Sequence, residues 1–316
     1  MTGSGRTRNA VDGVLLLNKP RGLSSQQAVS QVKRLFAARK AGHTGTLDPM
    51  ADGLLPVGLG EATKFTQYVL DADKCYLATL GLGVTTSSGD AEGEIIAQHP
   101  VAVSVAAVAG VLRRFTGEQV QTPPMYSAVK INGKPLYAYA RAGIQVERKS
   151  RVVSINELQL IDFIDKKLIL RVACSKGTYI RVLAEDIGAA LGCGAHLTAL
   201  TRESAGPFRL AEASSLAELE AMDMTGRMAR LLPPETFASS LPRHDLDAGT
   251  QQQLGCGQTI AATGVAPGLY RLYGVAGEFV GVGEVADSML RPRRLVALST
   301  GLSDSPINLS NPAVTG

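Results

Sequence analysis

The chain has 316 residues, 45% hydrophobic and 19% charged, which is material for about two domains and excludes global disorder. No run of eighteen apolar residues occurs, so no membrane-spanning helix is expected. The N-terminal MTGSGRTRNAVDG lacks the apolar core of a signal peptide, so a cytoplasmic protein is expected. The net charge is only +4 but unevenly spread: Arg6, Arg8, Lys19, Arg21, Lys33, Arg34, Arg39 and Lys40 face a single acid, Asp12. A second basic run covers Lys130, Lys134, Arg141, Arg148, Lys149 and Arg151, while acids gather at Glu212, Glu218, Glu220 and Asp223. Such a pattern arises either from ordinary solvated faces or from one phosphate-facing surface. Cys75, Cys174, Cys193 and Cys256 form no CxxC pair and the four histidines are dispersed, so neither a metal site nor a disulfide framework is expected.

VLLLNKPRGLSS reads as a strand leaving through a Pro-Arg-Gly turn. Ser24 followed by Gln27 is a capping box, and Ala28, Val32, Leu35 and Phe36 mark one face of the helix after it. Residues 41 to 60, AGHTGTLDPMADGLLPVGLG, carry five glycines and two prolines without helical period, and are expected to form a long ordered loop. Glu61 to Leu70 reads as a helix. KCYLATLGLGV and GEIIAQ read as strands around the polar turn SSGDAEG. Ser104 caps a helix through Phe115, and Pro135 suits the first turn of another, PLYAYARAG. VVSINELQL and KLILRVACS are strands, GTYIRVLAEDIGAAL is a helix entered through a glycine turn, and HLTALTRESAGPF is a further strand.

Strands and helices mix without a strict βαβ rhythm, which predicts an α+β fold with a mixed, largely antiparallel sheet. A helical stretch with Leu216, Leu219 and Met222 leads into the proline-rich LLPPETFASSLPRHD, and the domain boundary is placed near 245. Beyond it GLYRLYG, EFVGVGEV and RRLVAL, separated by glycines, predict a small all-β module over 246–316, with a polar, frayed tail after about 300.

Asp48 is held between Leu47 and Pro49 inside the glycine-rich loop, where Pro49 biases it towards extended backbone. On local grounds it reads either as a turn former or as a carboxylate held rigidly at a cleft, and Asp52-Gly53 reads as a turn. The segment GHTGTLDPMADGLLPVGLGEATK as a whole, however, resembles the signature of the bacterial TruB family of tRNA pseudouridine synthases. The resemblance continues in order through VLLLNKPRGLSS, KCYLATLGLGVTTSSGDAEGEI, TPPMYSAVKINGKPLYAYARAG and CSKGTYIRVLAEDIGAALGCGAHLTALTRESAGPF, and covers roughly residues 11 to 300.

That resemblance implies a pseudouridine-synthase catalytic domain over 1–245 and a PUA-like RNA-binding barrel over 246–316. It places Asp48 on the family's catalytic nucleophile and Arg181 on the arginine that pairs with it, lowering its pKa. Tyr76 falls on the tyrosine that stacks on the target base, and Tyr179, where a turn feeds a helix, on a position contacting the flipped nucleotide. His43 and Leu200 fall on substrate-contacting positions. Lys19, Arg21, Lys64 and Lys130 are candidate phosphate contacts, and Arg271, Arg291, Arg293 and Arg294 candidate contacts to the acceptor stem. Cys75 and the YAYARAG helix depart from the family's usual residues. The implied substrate is the T stem-loop of tRNA, modified at position 55 by a monomer that needs no cofactor, metal or obligate protein partner. Three alternatives stay open: a non-catalytic RNA-binding or RNA-remodelling protein, an RNA-guided pseudouridine synthase, and a glycosidase pairing Asp48 with Asp90.

Overall fold

The computed structural model describes residues 11–297; the basic Arg6 and Arg8 and the tail expected to fray after about 300 lie outside the described residues. The chain divides into two compact units, one ending at Ser240 and the other beginning at Leu241.

The first unit opens with β1 (Gly13–Lys19), whose Leu15 and Leu17 are fully buried. α1 (Ser25–Leu35) follows, closed at its start by the reciprocal Ser24–Gln27 capping box. Ala28, Val29, Val32 and Phe36 pack together with Leu15 and Leu17. Full burial of a side chain the size of Phe36 stabilises by about 3 kcal/mol. Then come β2 (Ala41–His43) and β3 (Asp52–Leu59), so the expected long loop is a loop only over 44–51. The glycines of β3 serve close packing rather than flexibility. A Cβ on Gly53 (φ +97°) would lie 2.5 Å from the Arg202 carbonyl oxygen, and one on Gly58 would lie 2.9 Å from the Phe237 ring. Asp52, expected in a turn, starts this strand.

The helix expected over 61–70 is broken into a 3₁₀ turn (Gly60–Lys64) and a single turn, α2 (Gln67–Leu70). Thr63 and Thr66 turn their hydroxyls onto the carbonyls of Gly60 and Thr63, competing with regular helix. β4 (Lys74–Leu82), β5 (Val84–Thr86), β6 (Ile95–Gln98), α3 (Val105–Phe115) and β7 (Gly117–Gln121) follow. A two-strand ribbon of β8 (Lys130–Ile131) and β9 (Lys134–Pro135) leads into α4 (Leu136–Arg141). β10 (Arg151–Ile164) is bulged twice and pairs with β11 (Lys167–Cys174). α5 (Ile180–Ala190), β12 (Ala195–Ala205), β13 (Phe208–Arg209), β14 (Ser214–Ser215), α6 (Leu216–Ala221) and α7 (Met224–Met228) complete the unit.

Ten strands form one sheet in the order β14-β1-β3-β12-β4-β11-β10-β7, with β2 on β3 and β13 on β12. The β1–β14 and β3–β12 pairs are parallel and the rest antiparallel, which is the mixed, largely antiparallel sheet expected. α3 and α5 cover β4, β11 and β12 through Val108, Leu112, Leu183, Ile187, Leu80, Leu170 and Leu197.

The second unit is a five-stranded sheet in the order β15-β17-β18-β19-β16. Its strands are β15 (Arg243–Asp245), β16 (Ile260–Ala261), β17 (Gly268–Tyr273), β18 (Phe279–Ala286) and β19 (Met289–Leu295). One helix not foreseen, α8 (Ala248–Gly255), is N-capped by Asp247 and supplies Leu254 to a core with Leu272, Val280, Val285 and Leu290. No helix among the described residues is long and apolar enough to cross a membrane.

Candidate active site

The loop between β2 and β3 is pinned on both sides of Asp48. The Ser25 hydroxyl, 2% exposed, donates to the Leu47 carbonyl at 3.0 Å and accepts from the Leu47 N–H at 2.8 Å. The Asp48 carbonyl accepts from Ala51 N–H at 3.1 Å, and the Pro49 carbonyl from Gly22 N–H at 2.8 Å. Asp52 is held by Arg21 Nε at 3.0 Å and by the Thr201 hydroxyl at 2.5 Å. These bonds leave the Asp48 side chain 35% exposed at a cavity of about 360 Å³.

Arg181, on the first turn of α5, reaches the same point from the other wall. Its Nε lies 3.1 Å from Asp48 Oδ2, and one terminal nitrogen lies 3.3 Å from Asp90 Oδ2. The carbonyls of Ser88 and Tyr126 accept from the two terminal nitrogens at 3.2 and 2.6 Å. The guanidinium, 4% exposed, is therefore a common counter-ion for two carboxylates. Its charge pulls the Asp48 pKa down, as expected from sequence, but burial outweighs it and Asp90 adds to the rise, so the net direction is upward.

From sequence, Asp90 in SSGDAEG is expected to be an ordinary turn residue. It is in a turn, but its carboxylate is buried, accepts from Ser88 Oγ and Glu92 N–H, and does not line the cavity. A paired-carboxylate glycosidase needs both groups at the substrate, so that geometry is absent here.

β4 and β12 form the adjoining wall. Alternation along a strand puts Lys74 and Tyr76 on one face and Leu200 and Arg202 on one face, and all four line the cavity. Tyr76 is directly opposite Arg202 across the β4–β12 pair. Burial pushes the Tyr76 phenol up and the Arg202 charge draws it back. Arg202, missed in the sequence, is 1% exposed and clamps the loop, donating to Leu54 O at 2.7 Å and to Gly45 O at 3.2 Å. Lys74 caps the end of α2 through the carbonyls of Leu70 and Ala72, and burial lowers its pKa to about 8. Tyr179 sits at the N-cap of α5, where Gln121 accepts from its N–H at 2.9 Å and donates to its carbonyl at 3.3 Å.

The structure thus brings Asp48, Tyr76, Tyr179, Arg181 and Leu200 to one cavity. His43 is not on its wall. It lies on β2, its Nδ1 accepting from Gly45 N–H at 3.2 Å, and burial with Arg202 lowers its pKa.

None of the four candidate phosphate contacts lines the cavity either. Lys19 is fully buried, its ammonium held by Pro20 O and Leu23 O at 2.9 and 2.7 Å, and burial lowers its pKa to about 8. A cation so enclosed cannot meet a phosphate, which corrects the expectation for Lys19. Arg21 is exposed but tied to Asp52, Lys64 pairs with Glu61 at 2.6 Å, and Lys130 is exposed on β8. In the second unit Arg291 and Arg294 are exposed, Arg293 pairs with Glu284 at 2.7 Å, and Arg271 donates to Leu241 O at 2.9 Å.

Residues 33–180 match the N-terminal domain of the TruB family pseudouridylate synthases. Residues 181–236 match the tRNA pseudouridylate synthase B C-terminal domain, and residues 242–296 the C-terminal domain of pseudouridine synthase II TruB. The chain is 53% identical over 291 residues to tRNA pseudouridine synthase B of Aromatoleum aromaticum, covering 92% of this chain and 94% of that one. It is 51% identical over 294 residues to the protein of that name from Azoarcus sp., covering 93% and 98%. A solved Cbf5-Nop10-Gar1 complex matches with a TM-score of 0.65 at 26% identity, over 86% of this chain and 78% of that one. The archaeal box H/ACA sRNP Nop10-Cbf5 complex shares the fold with a TM-score of 0.68 at 24% identity, over 90% and 85%. The chain belongs to the TruB family of pseudouridylate synthases.

Proposed function

We propose that this chain isomerises uridine to pseudouridine in the T loop of tRNA, at position 55, with Asp48 as the nucleophile. The observation that carries the reading is a partly exposed carboxylate, fixed by Arg181 at 3.1 Å, at a cavity of nucleoside-binding size in a chain of this family. In the reaction the bond from C1′ to N1 breaks, the uracil turns, and C5 joins C1′. C5 loses a proton and N1 gains one, so product and substrate are isomers and no electron or group is supplied from outside.

Each wall has a task in that sequence. A uridine in a folded loop must be extruded to reach Asp48, at a cost of a few kcal/mol. Stacking on the Tyr76 ring offsets about 1–3 kcal/mol of it. Asp48 attacks as the carboxylate, so Arg181 acts by opposing the burial that favours the neutral acid. The Tyr76 phenol, beside Arg202, is placed to take part in the proton transfer from C5. His43, adjoining the cavity rim at Gly45, meets RNA beside the extruded base. The unit from Leu241 onward contributes RNA affinity through exposed arginines such as Arg291 and Arg294. The enzyme acts in the cytoplasm, as a monomer, without a guide RNA. Carbodiimide mapping of unmodified tRNA transcripts incubated with the purified chain tests the assignment. A single new stop at the T-loop uridine is expected, and no stop on any tRNA would overturn it.

A further inference from the structure

Three buried side-chain polar atoms among the described residues lack a hydrogen-bond partner: Thr44 Oγ1, Ser127 Oγ and Arg151 Nε. Nearly all buried polar groups in native proteins are paired, so an orphan calls for a physical reason. Ser127 and Arg151 both line the cavity that holds Asp48. Both adjoin the start of α5. The Arg151 guanidinium lies 4.8 Å over the Tyr179 ring and donates to the Gly177 carbonyl. Ser127, 5% exposed, follows Tyr126, whose carbonyl holds Arg181 at 2.6 Å. Arg151 is in no ion pair among the described residues.

α5 itself spans Ile180–Ala190 with no side-chain cap, and Ile180 and Arg181 of its first turn are on the cavity wall. Gln121 occupies the N–H of Tyr179, one residue earlier, and not those of the first turn. A hydroxyl, a guanidinium without a carboxylate and a helix N-terminus can all donate, and Asp48, the one carboxylate on the cavity wall, is engaged by Arg181. The missing partner is an anion with several acceptor oxygens.

We infer that this end of the cavity is a phosphate subsite, built from Ser127, Arg151 and the first turn of α5, that holds a backbone phosphate flanking the extruded uridine. The inference rests on the reading that the cavity takes a flipped nucleotide. Held there, the phosphate fixes the sugar against Asp48 without touching the base.

The test uses the full chain, a T-arm hairpin RNA, and the same hairpin carrying a neutral methylphosphonate at either phosphate flanking the target. Ser127→Ala removes a hydroxyl that has no protein partner, so its melting temperature stays level or rises. Its KM for the hairpin rises about tenfold or more, and Arg151→Gln behaves likewise. One methylphosphonate raises the wild-type KM, and that penalty shrinks in both variants. A fall in melting temperature for Ser127→Ala, an unchanged KM, or a methylphosphonate penalty equal in all three proteins would overturn the subsite. Wild-type turnover of unmodified hairpin reads the reaction separately, so loss of the subsite and loss of the proposed function are distinguishable.

Discussion

Replacing Arg181 by methionine removes one cation from between two carboxylates while keeping most of the side-chain volume. The guanidinium is 4% exposed and Asp90 5%, so Asp90 would be left as a buried, uncompensated charge. Breaking a buried pair from one side costs about 3–5 kcal/mol. Asp48, 35% exposed, adds less because water screens it.

The pH dependence follows from Asp48. Its folded pKa is already above the ordinary carboxylate value, and losing Arg181 raises it further. A raised carboxyl pKa destabilises the fold above that pKa, and the penalty is relieved as pH falls through it. The loss should therefore be larger at pH 8 than at pH 5. The acid limb of kcat/KM should also move to higher pH than in wild type. Urea denaturation at the two pH values, followed by circular dichroism with equal slopes, measures the stability change. A loss under about 1 kcal/mol, the value of a surface ion pair, or one equal at both pH values would refute the reasoning.

Tyr76→Phe keeps the ring on the cavity wall and removes only the phenol, so kcat should fall about a hundredfold or more while KM for RNA changes little. Steady-state kinetics check this, and an unchanged kcat would remove the phenol from the proton transfer. Lys19→Met concerns stability: the folded pKa is about 8 against 10.5 unfolded, so the unfolded chain holds a proton the folded one has shed between those values. Wild-type stability should rise across that window by roughly 3 kcal/mol on account of Lys19, and the variant should lack that part of the rise in urea titrations at pH 8 and 10.

Local features were legible in the sequence. The Ser24–Gln27 capping box, the α1 face and the start of α5 at GTYIR depend on residues within a few positions of each other. β3 was not legible, because Gly53, Pro56 and Gly58 read as loop. The two glycines belong in a central strand because Arg202 and Phe237 press against the positions where their Cβ atoms would stand. Asp90 was hidden for a related reason. Nothing in SSGDAEG shows that its carboxylate meets an arginine ninety-one residues later. Lys19 misled because lysines are normally outside, and only the fold shows two carbonyls closing over its ammonium. Arg202 carries no sequence signal beyond its place two residues after Leu200 on the same strand face.

The central claim, that Asp48 is the nucleophile of a uridine isomerase, is tested most directly by tritium release from tRNA transcripts carrying 5-tritiated uridine. With no cofactor added, the wild-type chain should release the tritium of one uridine per tRNA. Asp48→Asn, nearly isosteric at the same pinned loop, should release none above background while binding the same RNA. Full release by Asp48→Asn would contradict the role given to the carboxylate.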